Sequence, residues 1–152
     1  MIRRILKSLP DINVWLALSF SGHPHHQAAL HWFDKVPEEA AAFCRMTQHG
    51  FLRLASNPKV FRSDALPLPK AWKAFDLLIS DERVCFCDEV ADIESEWRRH
   101  TRKAGFSPKI WNDAYLVAFA AKAGIQLVTF DRGFESYSGV DVKILRSVEL
   151  GR

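Results

Sequence analysis

Three aspartates stand in some of the most apolar stretches of this chain. Asp11 opens the run Ile12-Asn13-Val14-Trp15-Leu16-Ala17-Leu18, Asp113 lies early in Ile110 to Ala123, and Asp131 directly follows Leu127-Val128-Thr129-Phe130. Carboxylates brought together in a partly buried cleft repel one another and lose hydration, which is costly unless a proton or a cation neutralises them. A divalent ion resolves the conflict. Mg²⁺ prefers octahedral oxygen ligands and keeps several waters, so a few carboxylates and a substrate phosphate complete its shell. Such an ion can orient and acidify an attacking water while stabilising charge on phosphate oxygens, which amounts to phosphodiester hydrolysis. Each aspartate also has a plainer reading as a helix cap or first-turn residue. Taken together, the three favour a site.

The elements around them must bring them to one place. Ile5 to Pro10 reads as a first strand, so Asp11 lies at a strand-to-helix junction before an apolar helix. A second helix is expected from Pro24 to Lys35, with Ala28, Leu30, Trp32 and Phe33 toward the core. A strand at Ala40 to Cys44 and a helix from Thr47 to Ala55 follow, the latter broken by Asn57-Pro58. The remaining elements are a helix Ala71 to Ile79, a strand Val84 to Cys87, a charged helix Glu94 to Ala104 and an apolar helix Ile110 to Ala123 stopped by Gly124. Strands at Ile125 to Phe130 and Val142 to Leu145 complete the chain. Alternating short apolar strands and helices imply an α/β fold, a mainly parallel sheet covered on both faces. Ligands of such sheets bind beyond the carboxyl ends of the strands, where chain order reverses. Asp11 and Asp131 both follow strands, and Asp113 starts a helix entering near the same rim.

Other residues compete for attention. His23, His25 and His26 cluster at a helix start, where a structural or surface role outweighs metal binding. Cys44, Cys85 and Cys87 match no structural zinc spacing and are expected to be reduced thiols. The run Trp97-Arg98-Arg99-His100-Thr101-Arg102-Lys103 suits phosphate contact and base stacking, and equally a solvated helix face. Arg45, Arg53 and Arg132 are expected near the rim, meeting phosphates or pairing with the carboxylates. Trp15, Trp32, Trp72 and Trp111 fall at helical core spacing and read as packing residues, inside or at an interface. A length of 152 residues with 48% apolar and 26% charged content leads us to expect one domain over 1–152 without a disordered tract. A net charge of +3 is compatible with nucleic acid without demanding it. Apolar runs such as Tyr115 to Ala121 fall short of the ~20 residues that cross a bilayer. The start Met-Ile-Arg-Arg-Ile lacks a signal-peptide core, so no membrane association and a cytoplasmic location are expected.

The segments Leu9 to Leu18, Asn112-Asp113-Ala114-Tyr115-Leu116-Val117-Ala118 and Val128-Thr129-Phe130-Asp131-Arg132-Gly133-Phe134, in that order and at those distances, resemble the PIN-domain family and its VapC toxins in particular. Cys44 to Leu54 and His26 to Phe33 resemble one VapC subgroup, so the likeness spans nearly the whole chain. The resemblance implies a three-layer α/β/α sandwich and an endoribonuclease dependent on Mg²⁺ or Mn²⁺, cutting RNA such as tRNA or rRNA. It also implies a homodimer neutralised by a cognate VapB-type antitoxin. Asp11, Asp113 and Asp131 match the family's acidic positions as catalytic residues and metal ligands. Asn13, Gln48 and Asn112 are supporting candidates, and Arg45, Arg53, Arg98, Arg99, Arg102, Lys103 and Arg132 are candidates for RNA contact. Gln48, beside Thr47, stands where the family usually has a glutamate, which removes a charge and predicts weaker metal affinity unless Asp88, Glu94 or a second subunit restores it. That departure keeps a second reading open, a weak or silent PIN-like module that binds RNA or protein. An aspartyl phosphatase is disfavoured, because Asn13 occupies the position where a second aspartate would be needed.

Overall fold

The computed structural model describes residues 7–102 and 105–147. Ile5 and Leu6 of the expected first strand, Ala104 of the charged helix and the RNA-contact candidate Lys103 lie outside the described residues. The elements are β1 (Ser8–Pro10), α1 (Ile12–Ser19), α2 (His26–Phe33), β2 (Ala41–Phe43), α3 (Arg45–Ala55), α4 (Pro58–Phe61) and α5 (Leu68–Ser80). They are followed by β3 (Val84–Phe86), α6 (Ile93–Thr101), α7 (Ile110–Ala123), β4 (Gln126–Thr129) and β5 (Val142–Ile144), with a 3-10 helix at Arg132–Ser136.

The five strands form one sheet in the order β3-β2-β1-β4-β5, and every pairing is parallel. Strands covered on both faces must be apolar throughout. Accordingly β1, β2 and the last three residues of β4 are buried, while the edge strands β3 and β5 are partly open. One layer packs Trp15 of α1, Phe51 of α3 and Phe75 of α5 around Phe43 of β2, with the Trp15 indole stacked 3.9 Å from the Phe43 ring. The other packs Leu116 and Phe119 of α7 against Leu9 and Leu127. This is the expected three-layer sandwich.

Starting from central β1, the chain builds outward to β2 and β3, then crosses to the other side of β1 for β4 and β5. The reversal falls between β1 and β4, which are in register from Ser8 opposite Gln126 to Pro10 opposite Val128. Pro10 has no N–H to donate, and the Asp11 N–H continues the ladder by donating to Val128 O at 2.8 Å. The strands therefore end together, and the residues following each are delivered to one edge.

Some expectations change. Trp72 and Trp111 are 51% and 57% exposed. Trp72 meets Phe75 only edge-on, and Trp111 sits in the first turn of α7, before that helix enters the covered layer. Leu30 and Trp32 are half-buried, with Ala29 in the core instead. Helix α4 arises where a break was expected. Ser56 is the C-cap of α3 and Asn57 caps the next helix, its side chain accepting from the Lys59 N–H at 2.9 Å, with Pro58 at the tolerated first position.

Candidate active site

Asp11 is the N-cap of α1 and is 8% exposed. Its Oδ1 accepts from the Ile12 N–H at 2.7 Å, and its Oδ2 accepts from the Thr129 hydroxyl at 3.0 Å. Burial pushes its pKa up, the Thr129 and Ile12 hydrogen bonds oppose this, and the nearby Asp131 charge adds to the rise. Thr129 is fully buried, and its Oγ1 also accepts from the Asp131 N–H at 3.0 Å. One hydroxyl at the end of β4 thus ties the Asp11 carboxylate to the backbone of Asp131 across the β1–β4 reversal. Asp131 caps the 3-10 helix through the Gly133 N–H at 2.8 Å, and its Oδ2 lies 3.7 Å from the Lys109 ammonium.

Asp113 enters from the first turn of α7. Burial first, then the charges of Asp11 and Asp131, push its pKa up to about 6, against a smaller opposing pull from Lys109. No described residue donates a hydrogen bond to its carboxylate. Burial, with Asp113 and Asp131, also pushes up the pKa of Tyr137, which places that phenol in the field of both carboxylates. The three predicted aspartates therefore share one rim and feel one another, but they do not close into a finished cage: among the described residues no group of three or more His, Cys, Asp or Glu stands ready to hold a metal ion. Thr129, Lys109 and Tyr137 were not anticipated as neighbours. The signal for Thr129 was its place two residues before Asp131; for Lys109 and Tyr137 only the fold supplies one.

The remaining candidates divide. Gln48 is buried in α3, with its Oε1 accepting from Arg45 Nη1 at 2.6 Å while the Arg45 guanidinium lies over the Phe86 ring. Its carbonyl is therefore engaged. Asn13 and Asn112 are exposed, beside Asp11 and Asp113 in the first turns of α1 and α7. Arg45 and Arg132 follow β2 and β4 and sit at the rim. Arg53 does not: it is in the last turn of α3, about 12 Å along the helix from Arg45, because an α-helix rises 1.5 Å per residue. Arg98 and Arg99 pair with Glu94 and Glu96 on exposed α6, and Arg102 follows as its C-cap. The histidines are tied into the fold: His26 Nδ1 bonds to Ala17 O at 2.7 Å, and His25 stacks on Phe130. Cys44 is buried above Thr47, whose Oγ1 accepts from the Cys44 N–H, and the Cys85 thiol donates to Glu39 O.

Fold and rim together define a parallel α/β protein with a cluster of carboxylates at the reversal of its sheet. The profile of the PIN domain matches residues 8–140, and the chain belongs to the PIN-domain family. It is similar to Ribonuclease VapC41 of Mycobacterium tuberculosis, at 39% identity over 142 residues, covering 90% of this chain and 97% of the relative. Ribonuclease VapC38 of the same organism is 31% identical over 133 residues, covering 83% and 86%. Among solved structures, VapBC2 of Rickettsia felis bound to a promoter DNA fragment superposes with a TM-score of 0.67 at 12% identity, covering 93% of this chain and all of that one. VapC20 of Mycobacterium tuberculosis, a toxin that cleaves the sarcin-ricin loop, superposes with a TM-score of 0.61 at 20% identity, covering 88% and 98%. At these identities the superpositions speak for the fold.

Proposed function

We propose that this protein is a VapC-type endoribonuclease, the toxin of a toxin–antitoxin pair, which hydrolyses RNA with Mg²⁺ or Mn²⁺ held by Asp11, Asp113 and Asp131. The observation that carries this is the pairing of Asp11 and Asp131 across the sheet reversal by one buried hydroxyl, with Asp113 in their field and without a hydrogen-bond donor among the described residues. The ribonuclease names of relatives aligned over most of the chain support the same chemistry and disfavour a silent module.

The donor set fits a hard divalent ion, because all three proposed ligands are carboxylates and two of them are raised in pKa even with the Lys109 ammonium nearby. An open arrangement also fits, since Mg²⁺ is commonly held by one or two carboxylates, with waters and a substrate phosphate filling the shell. Bound there, the ion would supply an activated water and stabilise charge on the scissile phosphate. The chain's own contribution is positioning. Ile12 and Thr129 lock the Asp11 carboxylate, and Gly133 and Thr129 fix the Asp131 segment. Lys109 lies against Asp131 as an exposed cation able to give way. Asn13 and Asn112 are suited to hold ligand waters, while Arg45 and Arg132 meet RNA phosphates at the rim.

The substrate is proposed to be tRNA or rRNA, the partner a VapB-type antitoxin, and the working form a single-domain chain over 1–152 that dimerises in the cytoplasm. No described helix is long and apolar enough to cross a membrane. Exposed Leu68, Trp72 and Leu77 on α5 support contacts with another protein surface. The test is incubation of total cellular RNA with purified, partner-free protein in EDTA, Mg²⁺ or Mn²⁺, beside Asp11→Asn and Asp113→Asn variants. Discrete fragments that need metal and vanish in both variants are expected. Cleavage unchanged in the variants, or none at all, would defeat the proposal. Expression without a partner should also stop growth, with Asp113→Asn relieving the arrest.

A further inference from the structure

The basic run of α6 does not act as one surface. Arg98 turns toward Glu94, Trp97 and Trp111, lining a small cleft with them. Arg99 and Arg102 instead line a separate cavity of about 610 Å³ on the side of the acidic rim. Its other walls include His100, Ile110 at the start of α7, and Tyr137 and Ser138 just beyond the 3-10 helix that Asp131 caps. The cavity is thus built from the two segments that deliver Asp113 and Asp131.

Its chemistry is that of an anion site. Arg99 gives Nε and Nη2 to Glu96, leaving Nη1 without a hydrogen bond to any described residue, and the Arg102 guanidinium likewise bonds to none of them. The two cations sit at the C-terminal end of α6, whose negative dipole end stabilises them and would itself oppose an anion, so the arginines must carry the site; Ile110, the first residue of α7, brings that helix's positive dipole end to the same space. Exposed Ser138 adds a hydroxyl. Gly139, at φ +76°, lets the strap pass close to Arg99: a Cβ there would lie 3.1 Å from Arg99 Nη2. The carboxylate rim itself repels phosphate, so a substrate polyanion needs a cationic hold adjacent to it.

Resting on the ribonuclease reading above, we infer that the cavity between the end of α6 and the Tyr137–Ser138 strap is a subsite for an RNA backbone phosphate flanking the cut, held by Arg99 and Arg102 and not by Arg98. Tyr137 forms the wall shared by this subsite and the rim, packed edge-on to His100 at 5.7 Å between ring centres.

The test uses a fluorescein-labelled 20-nucleotide single-stranded RNA and the Asp113→Asn protein, so that binding is read without cleavage, with anisotropy titrations from 50 to 200 mM salt. Neutralising one phosphate contact on a single strand changes the slope of log K against log salt by about 0.7. Arg99→Gln with Arg102→Gln should weaken binding about tenfold and reduce that slope by about 0.7. Ser138→Asp, an exposed change that puts an anion in the cavity, should weaken binding comparably, and Arg98→Gln should stay within twofold. Arg99→Lys should restore most of the loss from Arg99→Gln. Parent-like binding by the double variant, or an equal loss in Arg98→Gln, would overturn the subsite. RNA cleavage by the otherwise wild-type chain, run in parallel, separates the two readings. Cleavage with an unchanged slope sinks the subsite alone; arginine-dependent binding without any cleavage leaves a phosphate-binding cavity but sinks the nuclease and, with it, the placement of that phosphate beside a cut; neither binding nor cleavage sinks both.

Discussion

Asp113 combines two roles that pull against each other. Its pKa lies at about 6 in the folded protein against an ordinary 3.8, so the folded state holds this proton more tightly than the unfolded chain. Its contribution to stability is complete below 3.8 and is lost as pH rises through about 6. Metal-free protein should therefore lose stability between pH 4 and pH 7, and Asp113→Asn should remove that loss and melt higher than the parent at pH 7.5 while abolishing cleavage. Equal melting temperatures across that range would count against the buried repulsion. Metal competes with the same proton, so apparent Mn²⁺ affinity should fall as pH drops below about 6. In α3, Gln48→Glu adds a carboxylate beside Arg45. The Mn²⁺ concentration for half-maximal cleavage should fall about three- to tenfold, worth about 0.7–1.4 kcal/mol. An unchanged metal titration would mean that this position stands outside the field of the ion. Asp11 and Asp131 were legible as residues from their places after strands. Their connection through Thr129 was not, because it joins positions 118 residues apart in sequence.

Helices α1 and α3 approach closely because Gly50 has no side chain. A Cβ there would overlap Ile12 Cδ1 and come 2.9 Å from its Cγ1, and Ile12 is the residue whose N–H orients Asp11. Gly50→Ala gains up to about 1 kcal/mol in helix propensity but overpacks this contact by about 1–3 kcal/mol, so a net loss is expected. Ile12→Val should recover part of it, giving a coupling of about 0.5 kcal/mol or more in a double-mutant cycle of urea melts. Additive effects would show that the helices can shift apart freely. Trp15, fully buried on Phe43, leaves its indole N–H without a partner among the described residues. Trp15→Phe removes that unpaired donor and should cost under about 2 kcal/mol, whereas Trp15→Ala should cost about 3–5 kcal/mol. The elements themselves were largely legible: α7 spans the predicted Ile110–Ala123 and ends at Gly124 in the left-handed conformation, as the glycine signal required. Exposure on a helix was less so, since periodicity could not tell that Trp72 faces outward and Trp111 precedes the covered part of α7.

The whole molecule carries a net charge of +3 yet gathers its buried carboxylates at one edge of the sheet. Binding of a cation to the folded state alone should therefore stabilise the entire fold. At a hundredfold excess over its Kd, Mg²⁺ or Mn²⁺ should add about 2.7 kcal/mol in thermal or denaturant melts, reversed by EDTA. The same shift in an Asp11→Asn/Asp113→Asn protein would place the ion elsewhere. At the acid end the sign reverses: the Arg83 guanidinium beside Asp81 holds its carboxyl down at about 2, so stability from this pair is present above 3.8 and is lost as pH falls through about 2. By itself, the sequence determined the α/β class and the helix and strand types, and it singled out the three aspartates as candidates, because hydrophobic period and position after a strand are local properties of the chain. Only the tertiary structure decided the strand order β3-β2-β1-β4-β5, the reversal between β1 and β4, and the separation of Arg99 and Arg102 from Arg98. It alone brought Lys109, Thr129 and Tyr137 to the carboxylates, because those relations depend on which strands pair and which helix face is covered, and no short stretch of residues encodes either.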